Sequence, residues 1–170
     1  MLKNCFSISL VLFLSACAGS YHINELDDSA VLSIKHSLAV FPSSTTVNIF
    51  DNSACENNEG SGRLAKVGND TMIKDKALDV KIKAGEVVYL ASQLWKESGS
   101  ERYGYITYQC NNLISFTAVK DGQYSFVAKA LKNGDCVIEL LEKSSQLPPL
   151  DMRVLQSKAA CNNTGMLDFF

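Results

Sequence analysis

Two Asx-Gly dipeptides, Asp121-Gly122 and Asn133-Gly134, each stand between runs in which apolar residues recur at every second position. This pattern limits the fold more than any other feature of the chain. Alternation at period two puts Ile114, Phe116 and Ala118 on one face of an extended segment, and Tyr124, Phe126 and Ala128 on one face of the next. Asx and Gly tolerate the positive φ that a tight reversal between strands requires. Residues 113–119, 123–131 and 136–142 therefore read as an antiparallel meander closed by two hairpin turns.

The rest of the domain follows the same rhythm. Residues 47–50 are short and β-branched, and Asp51-Asn52-Ser53 turns the chain. Residues 56–62 (ENNEGSG) form a loop. Residues 79–83 alternate, with Val80 and Ile82 on one side and Lys81 and Lys83 on the other, before a turn at Ala84-Gly85. Residues 86–95 are apolar enough for a strand covered on both faces. A loop is expected at 97–101 and a Tyr-rich strand at 102–110. Pro148-Pro149 ends the meander, and 152–157 supplies a last strand. About seven to nine short strands with little helical periodicity predict an all-β domain, an antiparallel β-sandwich or small barrel.

Composition narrows the function classes. The chain has 170 residues, 16 Lys+Arg against 18 Asp+Glu, and a net charge of −2. A nucleic-acid binder ordinarily carries a basic excess, so none is expected as a partner. Hydrophobic residues make up 46% and charged residues 20%, which suits a single folded domain rather than a disordered chain.

The N-terminus reads as an address. Lys3 precedes an uncharged apolar run at 6–16, too short for a membrane-spanning helix, which needs roughly 20 residues. The run ends in Leu14-Ser15-Ala16-Cys17, which resembles the lipobox of bacterial lipoproteins. The resemblance implies a helical signal peptide at 1–16 and a mature chain that begins at a lipidated Cys17. It further implies a tether over 17–29 and a β-domain over 30–170. Acyl chains would hold the protein on a bilayer, each buried CH₂ contributing about 0.8 kcal/mol. In Gram-negative lipoproteins an Asp after the cysteine marks inner-membrane retention, so Ala18 implies the outer membrane.

With Cys5 and Cys17 assigned to the leader and the lipid, Cys55, Cys110, Cys136 and Cys161 remain. An even set in an oxidising compartment reads as two disulfides with three connectivities. The pairing Cys55–Cys110 with Cys136–Cys161 is the working expectation. The wide spacing lacks the close Cys pairs of a structural zinc site, so no metal is expected.

Two further resemblances bear on the domain. Ala84, Gly85, Glu86, Tyr89 and Leu90, then Phe116, Asp121, Gly122, Tyr124 and Cys136, resemble the pattern of transthyretin- or immunoglobulin-like sandwiches of bacterial envelope lipoproteins. Those residues encode turns and core, so the resemblance implies a fold and no chemistry. The stretch Ile106-Thr107-Tyr108-Gln109-Cys110 resembles the Tyr-x-Cys strand of membrane-bound lysozyme-inhibitor lipoproteins, which implies an inhibitor of a wall-degrading enzyme as the alternative function. The later inhibitory strand of those smaller barrels is not evident.

The sequence carries no G-x-S-x-G, H-E-x-x-H, P-loop or G-x-G-x-x-G. His22 and His36 read as solvated, and Asp51, Glu56 and Glu59 with their Asn neighbours match no calcium loop. An envelope hydrolase would need a nucleophile–base pair, and none is legible. Tyr103 and Tyr105 share one strand face with polar neighbours and are the candidate binding pair. The expectation is a non-catalytic, cofactor-free outer-membrane lipoprotein that binds another envelope component, a protein or a glycan.

Overall fold

The computed structural model describes residues 21–36, 43–56, 60–68, 77–100, 104–130, 136–156 and 161. Among these residues nine strands form two packed sheets, a β-sandwich rather than a closed barrel. The strands are β1 (Ser29–His36), β2 (Ser43–Phe50), β3 (Gly62–Gly68), β4 (Leu78–Lys83), β5 (Val87–Ser100), β6 (Gly104–Thr117), β7 (Gln123–Ala130), β8 (Cys136–Glu142) and β9 (Arg153–Leu155).

One sheet has the order β4-β1-β7-β8 and the other β3-β2-β5-β6-β9. All pairings are antiparallel except β1 with β7, which run parallel. The inward-facing residues alternate along each strand. Ala30, Leu32 and Ile34 from β1 meet Tyr124, Phe126 and Ala128 from β7 on one side of the core. Val47 and Ile49 from β2, Val88 and Leu90 from β5, and Ile114 and Phe116 from β6 face them from the other. Phe116 and Tyr124 pack edge to face across the interior, ring centroids 5.1 Å apart.

The expected meander holds only in part. β7 and β8 do pair, from Tyr124↔Glu142 to Ala130↔Cys136. β6 and β7, however, lie in different sheets. The Asp121-Gly122 turn is a corner between layers and not a hairpin. Both flanking strands bury one face, and placing them in opposite sheets turns Phe116 and Tyr124 towards each other. The corner is tight: Asp121 takes φ 59°, Gly122 N–H donates to Val119 O, and a Cβ on Gly122 would lie 2.8 Å from that same oxygen. Tyr124 Oη accepts the Val119 N–H at 2.9 Å and clamps the turn from within.

Three more expectations change. The loop expected at 97–101 is strand as far as Ser100, and 104–117 forms one continuous strand paired with it. Strand β3 follows the Asn-rich loop and was not legible in the sequence. Within the span expected as a tether, Tyr21 is held against the domain. Tyr21 N–H donates to Arg63 O of β3, and Tyr21 Oη accepts the Lys83 N–H of β4 at 3.0 Å. Both β3 and β4 are edge strands, so Tyr21 bridges the two sheets along one open side of the sandwich. Its burial there pushes the phenol pKa above the ordinary value.

Candidate functional site

The two ends of the sandwich differ in what they present. At one end lie the start of β1, the β4–β5 and β6–β7 connections and the segment after β8. Ala84 N–H donates to Asp28 O, Gly85 N–H to Ala118 O, and Lys143 N–H to Gln123 O. Asp151 Oδ2 accepts the Thr117 N–H at 2.9 Å. Two ion pairs, Lys83–Glu86 at 2.8 Å and Lys120–Asp28 at 2.7 Å, sit on the same end. Each carboxylate raises the pKa of its lysine, chiefly through the hydrogen bond it accepts.

A groove of about 390 Å³ opens here beside the segment that enters β1. Its polar lining includes His22, Asn24, Asp27, Asp51, Lys83 and Glu86, with Ile49, Phe50 and Val88 at its apolar side. His22, expected as solvated, is exposed on this wall. The fold of Tyr21–Asp28 against β3 and β4 brings it to this wall. The loop after β2 contributes Asp51, which accepts from Asn52 Nδ2, while Asn52 Oδ1 accepts the N–H of Ala54 and of Glu56. The loop is thus held as an Asx turn. Among the described residues no group of three His, Cys, Asp or Glu side chains is placed to hold a metal ion.

That Asx turn also aims Cys55. The residue takes φ 58° and forms a disulfide with Cys161, Cα–Cα 4.9 Å. Cys55–Cys110 and Cys136–Cys161 are therefore not the pairs. The physical reason is the layer arrangement. Phe50, Ala91 and Leu113 face outward from the five-stranded sheet, and Cys55 and Cys161 are buried upon them, whereas Cys110 occupies the inward parity of β6 shared with Ile114 and Phe116. Cys110 is disulfide-bonded as well. The side chain of Cys136 lies outside the described residues, as does Cys17.

At the other end, β5 and β6 run past the other strands of their sheet among the described residues. The pairing of β5 with β2 ends at Ser43↔Lys96, but its pairing with β6 continues through Gly99↔Tyr105 to Ser100↔Gly104. Among the described residues, Glu97–Ser100 pair with β6 alone. The β-hairpin thus extends four residues past its neighbour, roughly 13 Å at the strand rise. Tyr105 stands in this extension on the backbone, its ring outside the described residues, and Tyr103 lies outside them altogether. The strand count could not reveal the extension, because it depends on where β2 stops. Compared with known proteins, the chain matches no family model and no curated sequence.

Proposed function

We propose that this chain is a non-catalytic lipoprotein of the bacterial outer membrane, anchored through Cys17, that binds another envelope component through the β5–β6 hairpin arm. The observation that carries the binding assignment is the overhang of that arm beyond β2. Among the described residues Glu97–Ser100 and the β6 residues opposite them have no further strand beside them, and such a ribbon offers main-chain N–H and C=O groups to a partner strand. The sequence of this stretch carries Tyr103 and Tyr105, a residue type that supplies contact area at low entropy cost. The Leu14-Ser15-Ala16-Cys17 motif supports the anchor.

The test uses the full chain in cells, with a photo-crosslinking residue in place of Tyr105 and, as the control, in place of exposed Lys35 on the four-stranded sheet. A discrete adduct from position 105 and none from 35 is expected. Its mass and glycosidase sensitivity separate a protein from a glycan, and a wall-degrading enzyme in the adduct would identify an inhibitor. Equal adducts from both positions, or none from 105, overturn the arm as the contact. Intact mass of the membrane-extracted protein tests the anchor separately, and an unmodified Cys17 overturns it.

A further inference from the structure

Five large apolar side chains stand in solvent at the end of the sandwich where Tyr21–Asp28 enters β1. They are Leu26 at 92% exposure, Val87 at 47%, Val119 at 58%, Leu147 at 63% and Leu150 at 107%. They come from the segment before β1, the first residue of β5, the β6–β7 connection and the segment after β8, and join neither apolar core. The hydrogen bonds from Ala84 to Asp28, Gly85 to Ala118, Lys143 to Gln123 and Thr117 to Asp151 place those segments at one end. Apolar side chains gathered on loop tips lose free energy in water in proportion to their area, and such a grouping marks a contact surface.

We infer that this end rests on a phospholipid surface, with the apolar tips seated among the headgroups. The inference rests on the reading of Cys17 as the lipid anchor. The occupant follows from the chain outside the described residues and where it ends. Cys17 precedes Tyr21 by four residues, which span at most about 14 Å. Tyr21 is fixed by its bonds to Arg63 and Lys83, so acyl chains on Cys17 cannot be carried far from this end. The charges also select the surface. Lys83 and Lys120 are paired with Glu86 and Asp28, and two further cations of this end, Lys143 and Arg153, stand close in sequence to Glu142 and Asp151, so the apolar tips are not ringed by a basic excess that anionic lipid would draw. A zwitterionic bilayer fits. The arrangement turns the β5–β6 arm away from the membrane, since β5 runs 14 residues, roughly 45 Å, from Val87 at this end to Ser100 at the other.

The experiment reconstitutes the full membrane-extracted protein into phosphatidylcholine–phosphatidylethanolamine vesicles containing brominated acyl chains. Leu150→Trp and Leu26→Trp report from the apolar tips and Lys35→Trp from a sheet face, each against the Trp95 background of the unsubstituted protein. Several-fold stronger bromine quenching at 150 and 26 than at 35 is expected, and adding anionic lipid should change it little. With Cys17 shown by mass to be acylated, equal quenching at all three positions overturns the orientation and leaves the anchor standing. Quenching that requires anionic lipid overturns the choice of a zwitterionic surface. Burial of the new indoles without vesicles, rising with protein concentration, assigns this end to a second copy and overturns the inference. An unmodified Cys17 overturns both the anchor and the orientation that rests on it.

Discussion

The outer faces of the two sheets solve the same problem in opposite ways. On the four-stranded sheet, the outward positions of the central strands mix polar residues with Val31 and Val127: Ser33 is hydrogen-bonded to Asp79 across the β1–β4 pair, and Lys129 holds Glu139 at 2.7 Å across β7–β8. These polar side chains are satisfied by partners on neighbouring strands. On the five-stranded sheet, Phe50, Ala91 and Leu113 point outward and are fully buried, with Tyr89 and Leu155 against them. Their cover comes from the far end of the chain. After β9 pairs with β6, Cys161 lies over Phe50 on β2, with β5 and β6 between β2 and β9, and the bond to Cys55 fixes it there. A patch of so few apolar residues gains little from burial alone, so the covalent link between Cys55 and Cys161 does what packing does in the main core.

The largest effect that would break this contrast is loss of that link. Replacing Cys55 and Cys161 together by Ser removes a closure over 106 residues. The chain-entropy account puts this at about 4–5 kcal/mol, read from urea unfolding of the oxidised protein. Amide exchange should rise first around Phe50 and Leu113 and least on the four-stranded sheet. A loss under about 1 kcal/mol would mean that the apolar cover holds itself. Peptide mapping of the same material is expected to join Cys110 to Cys136, the remaining cysteine of the domain.

A change at the seam between layers should cost both faces alike. Gly122→Ala sets a methyl 2.8 Å from Val119 O and 2.9 Å from the Tyr124 ring. The backbone oxygen cannot move aside cheaply, and an overpacking loss of about 1–3 kcal/mol is expected. Unchanged stability would show that the corner is slack. Calorimetry of the variant settles it.

Tyr21 tests the open side of the sandwich. Tyr21→Phe removes the acceptor of the Lys83 N–H and should cost about 0.5–1.5 kcal/mol. Burial raises the folded-state pKa of this phenol, so the unfolded chain loses its proton first. The stabilising contribution is therefore full below about pH 10, the unfolded value, and is lost as pH rises through the folded one. Unfolding curves across that window should lose part of their alkaline slope in Tyr21→Phe. An identical slope would assign it to other groups.

The smallest effect sharpens the polar side of the comparison. Lys129 and Glu139 are each about two-fifths exposed, 41% by side chain, so solvent screens their attraction. A double-mutant cycle with Lys129→Ala and Glu139→Ala should give a coupling of about 0.2–1 kcal/mol, falling with salt. A coupling near that of the disulfide would overturn the view that this face stands without a fastening.

Local pattern alone determined a good deal of this protein. Period-two alternation set the inward residues of β4, β6 and β7, because a pleated strand must send successive side chains to opposite faces. Turn chemistry placed the reversal at Asp121-Gly122, because only such residues accept its backbone. What a strand pairs with is another matter. Period two is the same for a neighbour in the same sheet and for one in the opposite layer, so nothing in 113–131 distinguished a hairpin from a corner. β3 was missed because its Gly62, Lys66 and Gly68 dilute the apolar signal, and only its pairing with β2 makes it a strand. Cysteine spacing left three connectivities open, since a disulfide depends on which faces meet. The hairpin overhang and the cluster of apolar tips are likewise properties of where neighbouring strands stop and which connections share an end. Those are decided by distance in space, which the order of residues does not contain.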